Sequence, residues 1–260
     1  KNINEKKYKN LFLAVLSKTA FDTSYVSLCP GTTFYPFRVK NDFWDDFKEK
    51  LNVKISHLIK IKELNFGSSK IYEDNSNNSS KYIEENTIDL AITSPPYPND
   101  LEYTRQTRLE LYILDFVKSM NDVAVIKKNM VKSSTKLIYK ESSSEIYIQN
   151  FQSVLNLSSQ IHEKLKNKNW GWDYPRMVRE YFGDMYICLK ETHKLLKKNS
   201  KFILVCGDQT IQGVYIPVCD ILVEFAKQIG YESGKIKLYR NRRSTSHNIL
   251  LPENLVILKK

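Results

Sequence analysis

Five consecutive residues, Thr93-Ser94-Pro95-Pro96-Tyr97, close an apolar run of strand length, "IDLAIT". The two prolines forbid both continued ladder hydrogen bonding and an immediate helix. The strand end therefore carries a small hydroxyl, a carbonyl whose direction is fixed because proline φ is locked, and an aromatic ring. Ser94 Oγ and the Pro95 carbonyl are hydrogen-bond acceptors and Tyr97 is a stacking face, so the group could hold a planar polar partner. The plainer alternative is a strand-terminating turn, with Ser94 a helix cap and Tyr97 a plug in the core.

Other residues carry weaker signals. Asp74, in "YEDNSNNSS", could contact a cofactor or simply cap its own Asx-rich turn. Arg105 and Arg108 stand one helical turn apart and could meet phosphate, although arginines on a helix face are commonly just solvated. Trp170 and Trp172 in "NWGWDYPR" could stack on nucleobases or anchor their segment to the core. Cys29, Cys188, Cys206 and Cys219 form no CxxC pair, and His57, His162, His193 and His247 have no ligand spacing. No metal site is expected, and the thiols are expected to be reduced.

The chain has 260 residues, 42% of them hydrophobic, enough for one large core or two modest ones. Lys and Arg outnumber Asp and Glu by 40 to 29, a formal charge of +11. Such an excess suits a polyanionic partner, because neutralising phosphates releases counterions, but a Lys- and Asn-rich composition can have the same origin without any partner. No run of about 18 apolar residues occurs, and "KNINEKKYKN" lacks the apolar stretch of a signal peptide, so a soluble, intracellular protein is expected. Residue 1 is not Met, and the native start is expected elsewhere.

The elements that must position the motif follow from periodicity. Residues 1–66 read as a helical N-terminal segment, with apolar residues at three- and four-residue spacing on either side of the loop "CPGTTFYPFRVKND". Residues 67–260 form the motif-bearing region. In it Lys70–Glu73 reads as a short strand before a polar Asx/Ser loop, and "TIDLAITS" as a strand buried in a parallel sheet. Helical periodicity follows Tyr97. Residues 118–173, rich in Lys and Ser with few strong core positions, read as an exposed, partly mobile insertion. From Tyr174 a helix, the strand "KFILVCGD", the helix "VCDILVEFAKQIG" and a final antiparallel pair complete an α/β pattern.

A strand followed by Thr-Ser-Pro-Pro-Tyr, a loop and a helix resembles the catalytic motif of the S-adenosylmethionine-dependent DNA amino-methyltransferases. The likeness extends through "TSPPYPNDLEYTRQTRLELYIL" and, in order of elements, over residues 71–260. The resemblance implies a Rossmann-like sheet and S-adenosyl-L-methionine as cofactor, with Asp74, Thr93 and Ser94 beside it. Ser94, Pro95, Pro96 and Tyr97 would be catalytic. An exocyclic amino group is a poor nucleophile, and acceptors that localise its lone pair activate it. The base must be flipped from double-stranded DNA and stacked, here on Tyr97. Ser at position 94 favours N4 of cytosine over N6 of adenine. Arg105, Arg108, Lys127, Lys128 and Lys132 are the candidate nucleic-acid contacts, and residues 118–173 the candidate target-recognition element. The resemblance further implies a bacterial, cytoplasmic modification system. A non-catalytic nucleic-acid-binding subunit and an RNA amino-methyltransferase are the alternative readings.

The resemblance also exposes a deficit. Cofactor binding in that family uses a Gly-rich turn after the first strand, and no GxG occurs among the eight glycines here. "CPGTTFYPF" has only a superficial likeness. The sheet is therefore expected to be incomplete, with its first two strands supplied by a second polypeptide carrying the Gly-rich motif, in a heterodimer or larger assembly, or by another part of one longer chain.

Overall fold

The computed structural model describes residues 6–27, 33–38, 40–64, 66–243 and 248–260. Cys29, His247 and the first four residues of "CPGTTFYPF" lie outside them. The chain divides into two compact units, one holding residues up to Ile71 together with Tyr103–Lys127, the other Tyr72–Glu102 with Lys128–Lys260.

The first unit is helical. Helix α1 (Lys6–Asp22) is followed by the two-residue antiparallel strands β1 (Val26–Ser27) and β2 (Thr33–Phe34), then by α2 (Phe43–Lys62). Asp42 starts α2 by accepting from the amides of Trp44 at 2.8 Å and Asp45 at 3.1 Å, which satisfies donors the first turn leaves open. Phe12 of α1 stacks with Phe47 of α2, and Lys50 bridges Asp22 and Asp46. After β3 (Ile88–Thr93), which belongs to the second unit, come α3 (Tyr103–Gln106), α4 (Arg108–Ile113) and α5 (Met120–Lys128). Helix α4 packs on α1.

The second unit is built on a mixed sheet. Its further elements are helices α6 (Gln152–Leu165) and α7 (Tyr174–Leu195), strand β4 (Leu196–Gly207), the hairpin β5 (Gln209–Ile211) with β6 (Val214–Ile216), helix α8 (Val218–Ile229), and strands β7 (Ser233–Arg243) and β8 (Leu250–Lys259). Among the described residues the main sheet has the order β3-β4-β8-β7, with β3 parallel to β4 and β8 antiparallel to both of its neighbours. The α/β pattern and the terminal antiparallel pair read from the sequence are thus both present.

Side chains alternate across the sheet, so the register sorts them into two faces. Phe202, Leu204, Cys206, Val256 and Leu258 share one face and are buried, with α7 and α8 packed on the same sheet. The apolar side of α8, with Leu222 and Phe225 fully buried, and Phe182 of α7 join this core. On the other face lies the row Ile92, Ile203 and Ile257, all at least partly exposed.

Three expectations are corrected. Lys70–Glu73 is not a strand: the segment is irregular and Ile71 is 95% exposed, because no described strand lies alongside to pair with it. β3 is parallel, as expected, but it is an edge strand, and Leu90 and Ile92 remain 50% and 65% exposed. Residues 118–173 are not an exposed insertion. Leu137, Ile148, Phe151, Val154 and Ile161 are buried, and α6 packs along α7. The Lys- and Ser-rich stretch docks by polar bonds instead: Asp184 accepts from the Lys132 amide at 2.9 Å and the Ser144 hydroxyl at 2.5 Å, and Glu180 accepts from the Ser144 amide at 2.7 Å. Burial pushes both carboxyls up. Gly183 permits this approach, since a Cβ there would stand 2.0 Å from the Ser144 carbonyl oxygen.

Candidate functional site

β3 delivers the motif to the end of the sheet where parallel strands in open α/β folds present their ligand sites. Thr93 closes the strand opposite Leu204 of β4. Ser94 follows, exposed, with its hydroxyl 3.4 Å from the Val205 carbonyl. Pro95 and Pro96 turn the chain, and Tyr97 comes to rest half-buried.

Four residues from the far end of the sequence hold Tyr97. Its hydroxyl donates to Glu253 Oε1 of β8 at 2.9 Å. The other carboxylate oxygen of Glu253 accepts from Arg240 Nε of β7. The guanidinium of Arg242, also on β7, lies over the Tyr97 ring at 5.3 Å from its centroid and donates to the Asp208 carbonyl. Gly207, last residue of β4, leaves room for both side chains: a Cβ there would stand 3.0 Å from Tyr97 Cε2 and 2.6 Å from Arg242. Burial first, then the Glu253 carboxylate, pushes the Tyr97 hydroxyl up. The Arg240 guanidinium holds the Glu253 carboxyl below its usual range, against the opposing effect of burial.

The loop behind the motif is pinned as well. Asp100, at φ 62°, accepts from the hydroxyls of Ser134, Thr135 and Tyr174 at 2.8–2.9 Å and from the Thr135 amide at 2.8 Å. The hydroxyl of Tyr174 is pushed up to about 12 by burial and by this carboxylate. Asp208, beyond Gly207, accepts from the Cys219 amide in the first turn of α8.

The other candidates fall into three groups. Asp74 is occupied by its own turn, accepting from the Asn75 amide at 2.7 Å, Asn78 Nδ2 at 2.8 Å and the Tyr82 hydroxyl at 2.8 Å. Those bonds, Asn78 first, bring its carboxyl down to about 2. The capping role is thus realised. Lys132 is buried and its ammonium donates to the carbonyls of Lys128 and Met130, closing the end of α5, so it is not displayed to a polyanion. Lys128 is exposed, above the Tyr139 ring. Arg105, Arg108 and Lys127 are partly buried and belong to the first unit. Trp170 and Trp172 are exposed rather than anchored in the core.

The second unit also contains a polar cavity of about 490 Å³, lined by residues that include Asn75, Asn78, Lys132, Tyr139, Ser144 and Asp184. None of residues 93–97 lines it. Cys188, Cys206 and Cys219 are unpaired thiols, and among the described residues no three His, Cys, Asp or Glu side chains are grouped as metal ligands. Among the same residues no helix is long and apolar enough to cross a membrane.

Ser94, Pro95, Pro96 and Tyr97 stand out in the sequence, whereas Gly207, Arg240, Arg242 and Glu253, which the structure gathers around Tyr97, do not. Two signals were available. An acidic residue stands inside the apolar run "LLPENLVILKK", and three arginines cluster in "YRNRR" just before it.

No protein-family model matches the chain. It is similar to the Type II methyltransferase M.AvaI of Nostoc sp. and to M.AvaI of Anabaena variabilis, at 29% identity over 168 residues in each case. Those matches take in 59% of this chain and 33% of each relative. The Type II methyltransferase M.BsoBI of Geobacillus stearothermophilus is 24% identical over 206 residues, 73% of this chain and 40% of that protein. The matched region thus amounts to between a third and two fifths of the length of these curated relatives.

Proposed function

We propose, from this kinship with Type II methyltransferases, that the chain is the catalytic-motif part of a DNA amino-methyltransferase. It would transfer a methyl group from S-adenosyl-L-methionine to the exocyclic amino group of a flipped base, N4 of cytosine in preference to N6 of adenine. The observation that carries the reading is the placement of Ser94, Pro95 and Tyr97 together at the ligand-binding end of the sheet, with Tyr97 held by residues more than 140 positions away.

Each residue has a defined task in this reading. Ser94 Oγ and the Pro95 carbonyl accept hydrogen bonds from the amino group and localise its lone pair on nitrogen. Pro95 and Pro96 fix the direction of that carbonyl because their φ angles are locked. Tyr97 stacks on the extrahelical base and makes up for part of the stacking lost from the duplex. The cofactor supplies the methyl group. Of its cradle the described residues offer only the end of β3 with Thr93 and Ser94; Asp74 would contribute by keeping its turn in shape rather than by a direct bond. The donors present in the described residues do not enclose the cofactor.

That partial fit supports completion of a Rossmann-like sheet by further strands beside β3. Among the described residues no strand pairs with the outer edge of β3, and Leu90 and Ile92 are exposed on the strand that should lie deepest. Those strands, with the Gly-rich turn, would come from a second polypeptide or from another part of the same one. The +11 charge and the exposed Lys128 suit a DNA substrate.

The test is transfer of labelled methyl groups from S-adenosyl-L-methionine to DNA, by the full-length protein and by this chain with the polypeptide encoded beside it. Replacing Ser94→Ala is expected to lower kcat by about 10²–10³-fold, with DNA affinity changed by no more than a few fold. An unchanged rate in Ser94→Ala, or no transfer in any combination, would overturn the reading. Loss of transfer together with DNA binding in the wild type would favour a role outside nucleic-acid modification.

A further inference from the structure

We propose that Glu253, with Arg240 as its counter-ion, is a positioning residue that sets the orientation of Tyr97. This rests on reading Tyr97 as the stacking platform of a methyltransferase site, and it adds three residues to that site from the last two strands of the sheet.

The construction is specific. Gly207, Glu253 and Arg240 lie in one row across β4, β8 and β7. A side chain on Gly207 would touch the tyrosine ring, and its absence lets Tyr97 reach across β4 to the next strand. The register of β7 against β8 shifts between Leu238 and Arg240, so Arg240 rather than Tyr239 faces Glu253. Bulges of this kind redirect a side chain at the cost of one ladder position. Glu253 is almost fully buried, a costly place for a carboxylate unless each oxygen is matched.

The two oxygens divide their work. Oε2 takes the Arg240 guanidinium, which keeps the group ionised; Oε1 is left for the Tyr97 hydroxyl. An ion pair that served only the β7–β8 hairpin would not require the second contact. With its hydroxyl fixed on β8, its edge over Gly207 and the Arg242 guanidinium over its face, the tyrosine has one orientation. A stacking platform needs that, because a planar substrate inherits the tilt of the ring beneath it, and small misplacements at a reacting centre cost rate steeply.

The experiment is a double-mutant cycle in the methylation-competent protein, with Tyr97→Phe, Glu253→Leu and their combination, and with Glu253→Gln as the conservative variant. Tyr97→Phe keeps the ring and removes the hydroxyl. Glu253→Leu and Tyr97→Phe should each lower kcat/KM by about ten- to a hundredfold; the double variant should be no worse than the worse single one. Glu253→Gln keeps an acceptor for the hydroxyl and should recover part of the loss. Multiplying losses in the double variant, or a Glu253→Leu enzyme as active as the wild type, would overturn the proposal. A second readout does not depend on methyl transfer. In ¹³Cζ-tyrosine spectra, with Tyr97 assigned from the signal missing in Tyr97→Phe, the Tyr97 hydroxyl should ionise at lower pH in Glu253→Leu and in Glu253→Gln than in the wild type. An unchanged titration would overturn the contact. A wild type that transfers no methyl group while this titration shifts as expected would instead remove the functional reading and leave the contact standing.

Discussion

β3 and β4 are parallel neighbours drawn from the same residue types, "IDLAIT" and "FILVCG", and they meet opposite conditions. β4 is hydrogen-bonded on both sides, and Phe202, Leu204 and Cys206 are buried on the face where the helices pack. Among the described residues β3 is bonded on one side, and Leu90 and Ile92 are exposed. An apolar run records the environment of the finished sheet. Full burial of an Ile or Leu side chain is favourable by about 1.5–3 kcal/mol relative to exposure, and Leu90 and Ile92 forgo much of it among the described residues. Around Tyr97 the contrast recurs: Gly207 and Glu253 come from the two inner strands, β4 and β8, whereas the motif follows the edge strand β3 and Arg240, on the other edge strand β7, is exposed.

The largest expected effect tests the contrast directly. Leu204→Ala should destabilise the chain by about 2–5 kcal/mol in urea unfolding, whereas Ile92→Ala should stay within about 0.5 kcal/mol. Similar losses at both positions would break the comparison. Ile92→Lys should leave unfolding unchanged and prevent any strand from joining β3, measurable as loss of association or of methyl transfer in the assembled protein.

A second test moves to the glycines. Gly207→Ala forces a methyl group against Tyr97 and Arg242 and should cost about 1–3 kcal/mol; Gly67, which has nothing within 4 Å of a Cβ, should accept Ala with a change under about 1 kcal/mol. Equal shifts in thermal unfolding would mean that the end of β4 is looser than described. The smallest effect is in acid. The Glu253 carboxyl is held below its unfolded value, so its contribution is complete above about pH 4.3 and is lost as pH falls through the folded value. Glu253→Gln should flatten that part of the stability profile, read from urea unfolding as a function of pH.

Much of this was legible. The helices α1, α2, α7 and α8 announce themselves by three- and four-residue apolar spacing, and β4, β7 and β8 by apolar or alternating runs between turns. The motif end of the site was readable because its prolines are local signals. Residues 118–173 read as an exposed insertion because their core residues, such as Leu137, Ile148 and Phe151, sit among lysines and serines in short turns with no single period. Lys132 was misassigned for a related reason: a lysine that caps a helix end looks, in a basic stretch, like one awaiting phosphate. Glu253, Arg240 and Arg242 were invisible as site residues because pairing between strands so far apart in sequence leaves no spacing pattern.

The hydrogen bond from Tyr97 to Glu253 spans 156 positions, and β8, which provides the acceptor, enters the sheet between two strands that precede it in the chain. During synthesis β4 must therefore wait, one edge unpaired, until the final strand of the described fold has emerged and threaded in beside it. Sheets closed by such distant pairings form slowly. Ser94, Pro95 and Tyr97 are translated early, but Tyr97 acquires its acceptor only once β8 has paired.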